Sequence, residues 1–150
     1  MLSVIQRVTH ANVMVNNSII GEIKQGIVAL VAIEKGDGET EAKQLIDRIL
    51  NYRIFADTND KMNLSVKDVR GGLLLIPQFT LAANTKKGTR PSFTPAAAPS
   101  VSKPLFEFTV HYAQQQYKTI SSGQFGADMQ VSLCNDGPVT FTLKTHNSDS

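Results

Sequence analysis

The sequence is poor in the residues that build disulfides and metal centres. It has a single cysteine, Cys134, and three histidines that lie far apart. One cysteine excludes an internal disulfide, and the apolar residues Val131 and Leu133 before it predict that Cys134 is a buried small hydrophobe. No histidine lies at ligand spacing from Cys134 or from a pair of carboxylates. We therefore expect neither a metal nor another cofactor.

Long apolar runs are also missing. The longest wholly apolar run covers residues 27–33, whereas a membrane-spanning helix needs about twenty residues. Gln6 and Arg7 interrupt the N-terminal segment, which therefore lacks the pattern of a secretory signal. These absences predict a cytoplasmic protein with no membrane partner.

A strong excess of one charge is absent too. Fifteen Lys and Arg residues against thirteen Asp and Glu residues give a net charge of +2, which alone does not indicate a nucleic-acid partner. Lys86, Lys87 and Arg90 nevertheless cluster with Gly88 and Pro91 in one short segment, residues 86–91, called the basic loop below. The cluster fits an exposed loop that contacts phosphate, and it fits a merely solvated loop equally well.

The composition that remains is that of one soluble globular domain. Hydrophobic residues make up 41% of the chain and charged residues 19%, which is ordinary for a protein with a real core. We expect residues 1–144 to fold as a single domain. Residues 145–150 carry no large apolar side chain, so they are expected to form a flexible tail.

Hydrophobic patterns predict several strands. Residues 11–15 alternate apolar and other side chains, residues 16–18 supply a turn, and residues 19–23 can return as the partner strand. Short apolar runs at 27–33 and 73–76 predict strands buried on both faces. The chain is thus expected to open with a hairpin and to continue into the centre of a sheet.

Two helices and a closing strand pair complete the predicted fold. Apolar residues recur at three- and four-residue steps between 38 and 53, and again after Ser100, where Pro104 fits only in the first helical turn. Residues 129–134 and 139–143 are expected to pair across a turn. The fold class is therefore mixed α/β, with a largely antiparallel sheet or partial barrel packed by two helices.

Two short segments are not explained by periodicity, and they resemble the two signature motifs of bacterial D-aminoacyl-tRNA deacylases. The first motif is Gln78-Phe79-Thr80-Leu81, and the second motif is Asn135-Asp136-Gly137-Pro138-Val139-Thr140. The resemblance extends over nearly the whole chain, through residues 4–8, 52–55, 61–64, 88–93 and 125–132.

The resemblance implies a homodimer that hydrolyses D-aminoacyl-tRNA, and glycyl-tRNA as well, with active sites at the subunit interface. In the family the peptide bond equivalent to Gly137–Pro138 is cis, and each subunit inserts this pair into its neighbour's pocket. The parallel carbonyls hold the amino group of the substrate and leave no room for an L side chain. Without the resemblance, Gly137–Pro138 reads as an ordinary trans turn. Aminoacylated tRNA is the implied partner, and DNA is not.

Three other residues match substrate-binding positions of the family. Arg7 resembles the arginine that braces the glycine–proline pair. Phe93 resembles a residue that lines the pocket for the terminal adenosine, and Met129 resembles a residue beside that pocket. Each also has a structural interpretation. Arg7 fits a surface position on an edge strand, and Phe93 and Met129 fit core positions.

Hydrolysis of an ester requires fixed donors for the oxygen that becomes negative. The backbone amides of Phe79 and Thr80 are the candidates, and Gln78 is a candidate polar contact to the substrate. No histidine or lysine close in sequence can activate the Thr80 hydroxyl, so Thr80 is expected to position groups rather than attack. The family mechanism relies on the 2′-hydroxyl of the terminal ribose to help activate water.

Pro77 departs from the family, which usually has serine there. Proline supplies neither a hydroxyl nor an N–H. This difference favours an alternative function, an RNA-binding homologue with weakened catalysis owing to Pro77. A third interpretation, an esterase or amidase for small D-amino acid derivatives, has no nucleophile motif to support it.

Overall fold

The computed structural model describes residues 1–145. Its elements, in chain order, are β1 (Leu2–Val15), β2 (Ser18–Ile23), β3 (Gly26–Ala32), α1 (Glu39–Asn51), β4 (Phe55–Ala56), β5 (Met62–Leu64), β6 (Gly72–Pro77), a 3-10 turn (Phe79–Ala82), α2 (Pro99–Gln116), β7 (Ile120–Ser122) and β8 (Gln130–Lys144). None of the helices in this part of the chain is long and apolar enough to cross a membrane.

Six strands form one mixed sheet. The order is β2-β1-β3-β6-β7, and β8 pairs with the other edge of β1. The pairings of β1 are antiparallel, whereas β3–β6 and β6–β7 are parallel. The sheet curls until Ser121 Oγ of β7 donates to the Glu22 carbonyl of β2, at 3.2 Å. The predicted partial barrel with two helices is confirmed.

The opening hairpin forms because two asparagines accept an unusual backbone conformation. Asn16 and Asn17 have φ angles of 50° and 65°, and asparagine tolerates this left-handed region better than most residues. Two such residues in succession make the turn whose twist matches that of the flanking strands. The hairpin predicted from residues 11–23 is therefore confirmed.

The central strand β3 is buried on both faces, as its continuous apolar run predicts. On one face Ile27, Ala29 and Val31 pack in a cluster with the apolar stripes of α1 and α2. On the other face Val28 packs with Leu74 and a second cluster inside the curl of the sheet. The sheet is thus a rigid support for whatever lies at its strand ends.

The predicted closing strand pair is wrong. Residues 130–144 form one long strand, β8, that runs along nearly all of β1. Its pairing is irregular at two places. The smaller shift lies between Val8 and His10, and at the larger one Val8 pairs with Asn135 whereas Gln6 pairs with Thr140. Residues 136–139 therefore oppose Arg7 alone and form a bulge rather than a hairpin turn.

Cys134 and Pro104 also differ from expectation. Cys134 is exposed, because β8 lies at the edge of the sheet and part of its alternation faces solvent. Pro104 lies inside α2, which begins at Pro99, and so falls beyond the first turn. The hydrogen bond that Pro104 cannot make would go to the carbonyl of Ser100, which is an exposed residue.

The fold extends past the boundary predicted after residue 144. Thr145 is buried, and its backbone N–H donates to the Met1 carbonyl at 3.0 Å. The Met1 amino group donates to Thr145 Oγ1 at 2.9 Å. The rest of the predicted tail, residues 146–150, lies outside the described residues.

Candidate functional site

A cavity of about 670 Å³ opens at the carboxyl end of β6. It lies between the 3-10 turn, the chain entering α2 and the segment that leads into β8. Its lining residues are Ile76, Pro77, Gln78, Phe79, Phe93, Ala96, Ala97, Ala98, Pro99, Ser102, Phe125, Gly126, Ala127, Met129 and Val131. None of them is ionisable, so this part of the chain offers the cavity no acid, base or charged ligand.

Two aromatic rings line one side of the cavity. The ring centroids of Phe79 and Phe93 are 5.2 Å apart with the planes at 56°, a favourable tilted arrangement. Phe79 is 55% exposed and Phe93 is 43% exposed, so Phe93 is not a core residue. The pair offers apolar faces to a flat ligand.

The first motif begins where β6 ends. The Gln78 backbone N–H donates to the Val31 carbonyl at 2.7 Å and so extends the β3–β6 pairing. The Gln78 side-chain amide donates to the Thr80 hydroxyl. The backbone N–H groups of Phe79 and Thr80 make no hydrogen bond to described residues outside the turn, so both are available to a ligand.

Thr80 has no base beside it. The Gln78 amide is the only side-chain partner of its hydroxyl within residues 1–145, and an amide cannot take a proton from an alcohol at neutral pH. The contact orients the hydroxyl without activating it, which agrees with a positioning role for Thr80.

Pro77 sits where its missing N–H is harmless to the sheet. Backbone groups along a strand point alternately to its two neighbours, and Gln78 donates toward β3. The N–H that proline lacks at position 77 would therefore point toward β7. The β6–β7 pairing has already ended, because its last pair is Leu75 with Ser122. Pro77 thus costs no pairing and contributes no donor.

Arg7 braces the bulge of the second motif. Its Nε donates to the Asp136 carbonyl at 3.0 Å, and an Nη donates to the Ile54 carbonyl at 2.9 Å. Arg7 Nε also lies 3.5 Å from Asp136 Oδ2. The Arg7 side chain is only 14% exposed, so it is not an ordinary surface arginine.

The braced segment carries a cis peptide bond between Gly137 and Pro138. Gly137 has a φ of 128°, and a Cβ there would lie 2.8 Å from Val139 Cγ2 and 3.2 Å from an Arg7 Nη. Only glycine fits these constraints without strain. Gly137 and Pro138 are exposed and do not line the cavity of their own chain.

The basic loop lies between Phe79 and Phe93 in the chain. The backbones of Asn84 and Ser92 close its base with two hydrogen bonds, of 2.7 and 3.0 Å. Its three basic side chains, Lys86, Lys87 and Arg90, are exposed. None of them pairs with an acidic group in residues 1–145. Positive charge thus lies on the segment that connects Phe79 to Phe93 in the chain.

Three side chains with shifted pKa values, Asp57, Asp68 and Tyr112, do not line the cavity. Hydrogen bonds from the Lys61 and Ser65 backbone lower the pKa values of Asp57 and Asp68, respectively. A hydrogen bond to Asp47 raises the pKa of Tyr112. No group of three or more metal-ligating side chains occurs among the described residues. Within residues 1–145 the cavity can therefore act on a ligand through shape, apolar contact, backbone groups and the neutral polar side chains of Gln78 and Ser102.

Comparison with known proteins agrees with the resemblance. The family model described as D-Tyr-tRNA(Tyr) deacylase matches residues 4–144. The chain belongs to this family. A curated relative from Pseudoalteromonas translucida (strain TAC 125), named D-aminoacyl-tRNA deacylase, is 59% identical over 95% of this chain and 99% of its own. Another of that name, from Janthinobacterium sp. (strain Marseille), is 54% identical over 96% and 97%.

Solved structures share the deacylase-family fold. One called c-Myc DNA Unwinding Element Binding Protein superposes with a TM-score of 0.93 at 35% identity, covering 98% of this chain and all of its own. A "probable eukaryotic D-amino acid tRNA deacylase" superposes with a TM-score of 0.83 over 95% and 97%, but at 15% identity. The second likeness shows the fold alone.

The structure gathers some predicted site residues and leaves others apart. Gln78, Phe79, Phe93 and Met129 meet at the cavity, whereas the second motif lies on β8. Met129 also packs against the core cluster inside the sheet, so it contributes both to the core and to the cavity lining. The sequence does not predict that residues 96–99, Ser102 and Phe125 line the cavity. Small and apolar side chains give no signal of a pocket.

Proposed function

We propose that this chain hydrolyses the ester bond of D-aminoacyl-tRNA, releasing the free D-amino acid and tRNA. The observation that carries the proposal is the cavity at the first motif, where the Phe79 and Thr80 amides have no hydrogen-bond partner within residues 1–145 outside the 3-10 turn. Family membership and the names of the relatives support the same reaction. Aminoacylated tRNA is accordingly the proposed partner, in the cytoplasm.

The cavity suits the terminal aminoacyl-adenosine of a tRNA. Adenine can stack on the exposed ring of Phe93, and stacking of a base on an aromatic residue is worth about 1–3 kcal/mol. Lys86, Lys87 and Arg90 lie on the connecting loop, where they can neutralise phosphates of the acceptor end. The aromatic side and the basic loop thus favour an RNA end over a small free ester.

The reaction needs an oxyanion site and an activated water. Water adds to the ester carbonyl, the oxygen gains negative charge, and the Phe79 and Thr80 amides donate to it. The ribose 3′-oxygen then leaves with a proton. No ionisable side chain of the described residues lines the cavity, so we assign proton transfer to the ribose 2′-hydroxyl and water. Gln78 and Thr80 position the reacting groups.

We assign rejection of L substrates to Gly137 and Pro138 from a second copy of the chain. The pair protrudes from an edge strand, is exposed and is braced by Arg7, which suits a rigid element inserted elsewhere. Its backbone carbonyls would hold the substrate amino group and close the space for an L side chain. A homodimer is therefore part of the proposal, and glycyl-tRNA, which has no side chain to reject, is an additional substrate.

The deciding experiment measures single-turnover hydrolysis of D-tyrosyl-, L-tyrosyl- and glycyl-tRNA at equal concentrations. We expect rapid loss of the D-tyrosyl ester, measurable loss of the glycyl ester and a stable L-tyrosyl ester. Equal turnover of both tyrosyl enantiomers would overturn the assigned selection. Absence of any turnover would leave RNA binding as the function.

That second candidate, an RNA-binding homologue with weakened catalysis, is favoured by Pro77. It predicts tight binding of aminoacyl-tRNA without turnover. Because one solved relative is named for DNA binding, the binding assay includes duplex DNA as a competitor. We propose no DNA partner, and displacement of tRNA by DNA at equal phosphate concentration would contradict this.

A further inference from the structure

Gly123 lies directly behind the cavity wall. It follows β7, and its backbone N–H donates to the Leu75 carbonyl of β6 at 2.8 Å. It does not line the main cavity but a second one of about 390 Å³ along α2, and Phe125 lines both.

The space that a side chain would need at Gly123 is already filled. A Cβ there would lie 2.7 Å from Met129 Sδ, and 3.3 Å from both Ile76 Cδ1 and Pro77 Cδ. The first distance is shorter than real Cβ contacts, and the other two are tighter than most. All three neighbours line the main cavity, so the direction of this Cβ is toward the cavity wall.

Backbone freedom does not explain the glycine. Gly123 is not among the glycines with positive φ, which in residues 1–145 are Gly36, Gly88, Gly126 and Gly137. An alanine could adopt its backbone angles. What the position requires is the absence of a side chain.

We propose that Gly123 sets the room in the cavity for the aminoacyl-adenosine end of the substrate. By carrying no side chain, it lets the Met129 thioether lie back against the wall. The inference rests on the proposed function, because it assigns the cavity to that substrate end.

A methyl group at Gly123 would displace Met129 more readily than its other neighbours. The Met129 side chain is unbranched and flexible, whereas Ile76 belongs to a packed core cluster and Pro77 is a rigid ring. With those two neighbours fixed, the displaced thioether moves into the cavity. The expected result is a higher KM for the substrate with a smaller change in kcat.

The test is a double-mutant cycle on hydrolysis of D-tyrosyl-tRNA. Gly123→Ala should lower kcat/KM about tenfold in the natural chain, a coupling typical of residues in contact. In a Met129→Ala background the same change should cost less than about threefold, because the displaced group is gone. Gly38→Ala is the matched control, since a Cβ there meets only Glu41 Oε2 at 3.6 Å.

The outcomes separate this inference from the proposed function. If the natural chain fails to hydrolyse D-tyrosyl-tRNA, the proposed function fails. If the natural chain is active and Gly123→Ala costs the same factor in both backgrounds, the Gly123 inference fails alone. Thermal unfolding of each variant serves as the folding check, and a loss of activity that follows only the melting temperature also overturns the inference.

Discussion

The two signature motifs are held in place by different parts of the molecule. The first motif follows β6 at the centre of the sheet, and the Gln78 N–H fixes it to buried β3. The second motif lies at the edge of the sheet, where its two ends pair with β1 and only the Arg7 side chain braces the bulge between them. The first motif is therefore anchored to a buried strand at its start, whereas the bulge of the second motif depends on one brace at an edge. In our proposal the first motif serves the reaction and the second motif serves selection.

The largest effect is expected from Arg7→Ala. The variant removes charged donors from the Asp136 and Ile54 carbonyls, and hydrogen bonds to charged groups contribute about 1.5–3 kcal/mol each. If positioning of the bulge is lost, hydrolysis of D-tyrosyl-tRNA should fall about a hundredfold. Single-turnover rates and thermal melting of the same samples measure the two consequences separately.

Arg7→Lys is the matched control for that variant. Lysine keeps the charge but lacks the planar fork that reaches two carbonyls, so an intermediate rate is expected. Arg7→Ala could instead keep full activity and an unchanged L/D ratio, the ratio of the hydrolysis rates of L-tyrosyl-tRNA and D-tyrosyl-tRNA. The bulge would then need no brace, and the two motifs would not differ in how they are held.

Phe93→Ala should have the next largest effect, on the side of the cavity next to the first motif. Loss of base stacking costs about 1–3 kcal/mol, which corresponds to about a 5- to 150-fold increase in the KM for D-tyrosyl-tRNA. The L/D ratio should not change, because the second motif is untouched. Phe93→Tyr keeps the ring and should behave like the natural chain. A changed L/D ratio in Phe93→Ala would show that the two motifs do not divide the work in this way.

Neutralising two charges of the basic loop should have a smaller effect. The double variant Lys86→Gln, Lys87→Gln should weaken tRNA binding and lower the slope of log affinity against log salt by about 1–2. Neither lysine pairs with an acidic group in the described range, so folding should be unchanged. Arg70→Gln, an exposed cation outside the loop, is the control. An unaltered slope would show that the two lysines do not contact phosphate and that the loop is merely solvated.

The smallest effect is expected from Pro77→Ser. The N–H gained would point toward β7, away from the β3 side to which Gln78 donates. If the oxyanion donors are the Phe79 and Thr80 amides, the single-turnover rate should change less than about tenfold. Loss or gain of a true oxyanion donor changes it about a hundred- to a thousandfold. A gain of that size would promote the RNA-binding alternative.

Local chemistry explains which parts of the fold could be predicted from sequence. Asn16 and Asn17 determine their turn by their own backbone preferences, and the two helices follow from spacing along one segment. The bulge in β8 could not be found this way, because it exists only through the register of β8 against β1. Cys134 was misjudged for a similar reason, since alternation predicts two faces but does not reveal that a strand lies at an edge.

The candidate site followed the same division. Phe93 and Met129 are distant in sequence from the first motif. Without the structure, only the family resemblance indicates that they lie in the same site as this motif. Gly123 gave no signal at all, because its role depends on a side chain it lacks and on neighbours from two other segments. The exposure of Phe93 likewise could not be predicted, because it depends on how the loop between Asn84 and Ser92 closes.

The bulge in β8 has a second consequence, for the colloidal behaviour of the chain. Fifteen extended residues with no strand pairing along their outer edge in residues 1–145 form a template to which any extended chain could add. Residues 136–139 break that template in its middle, and Pro138 cannot donate to an incoming strand. The element to which we assign rejection of wrong substrates would thereby also hinder aggregation with wrong partners.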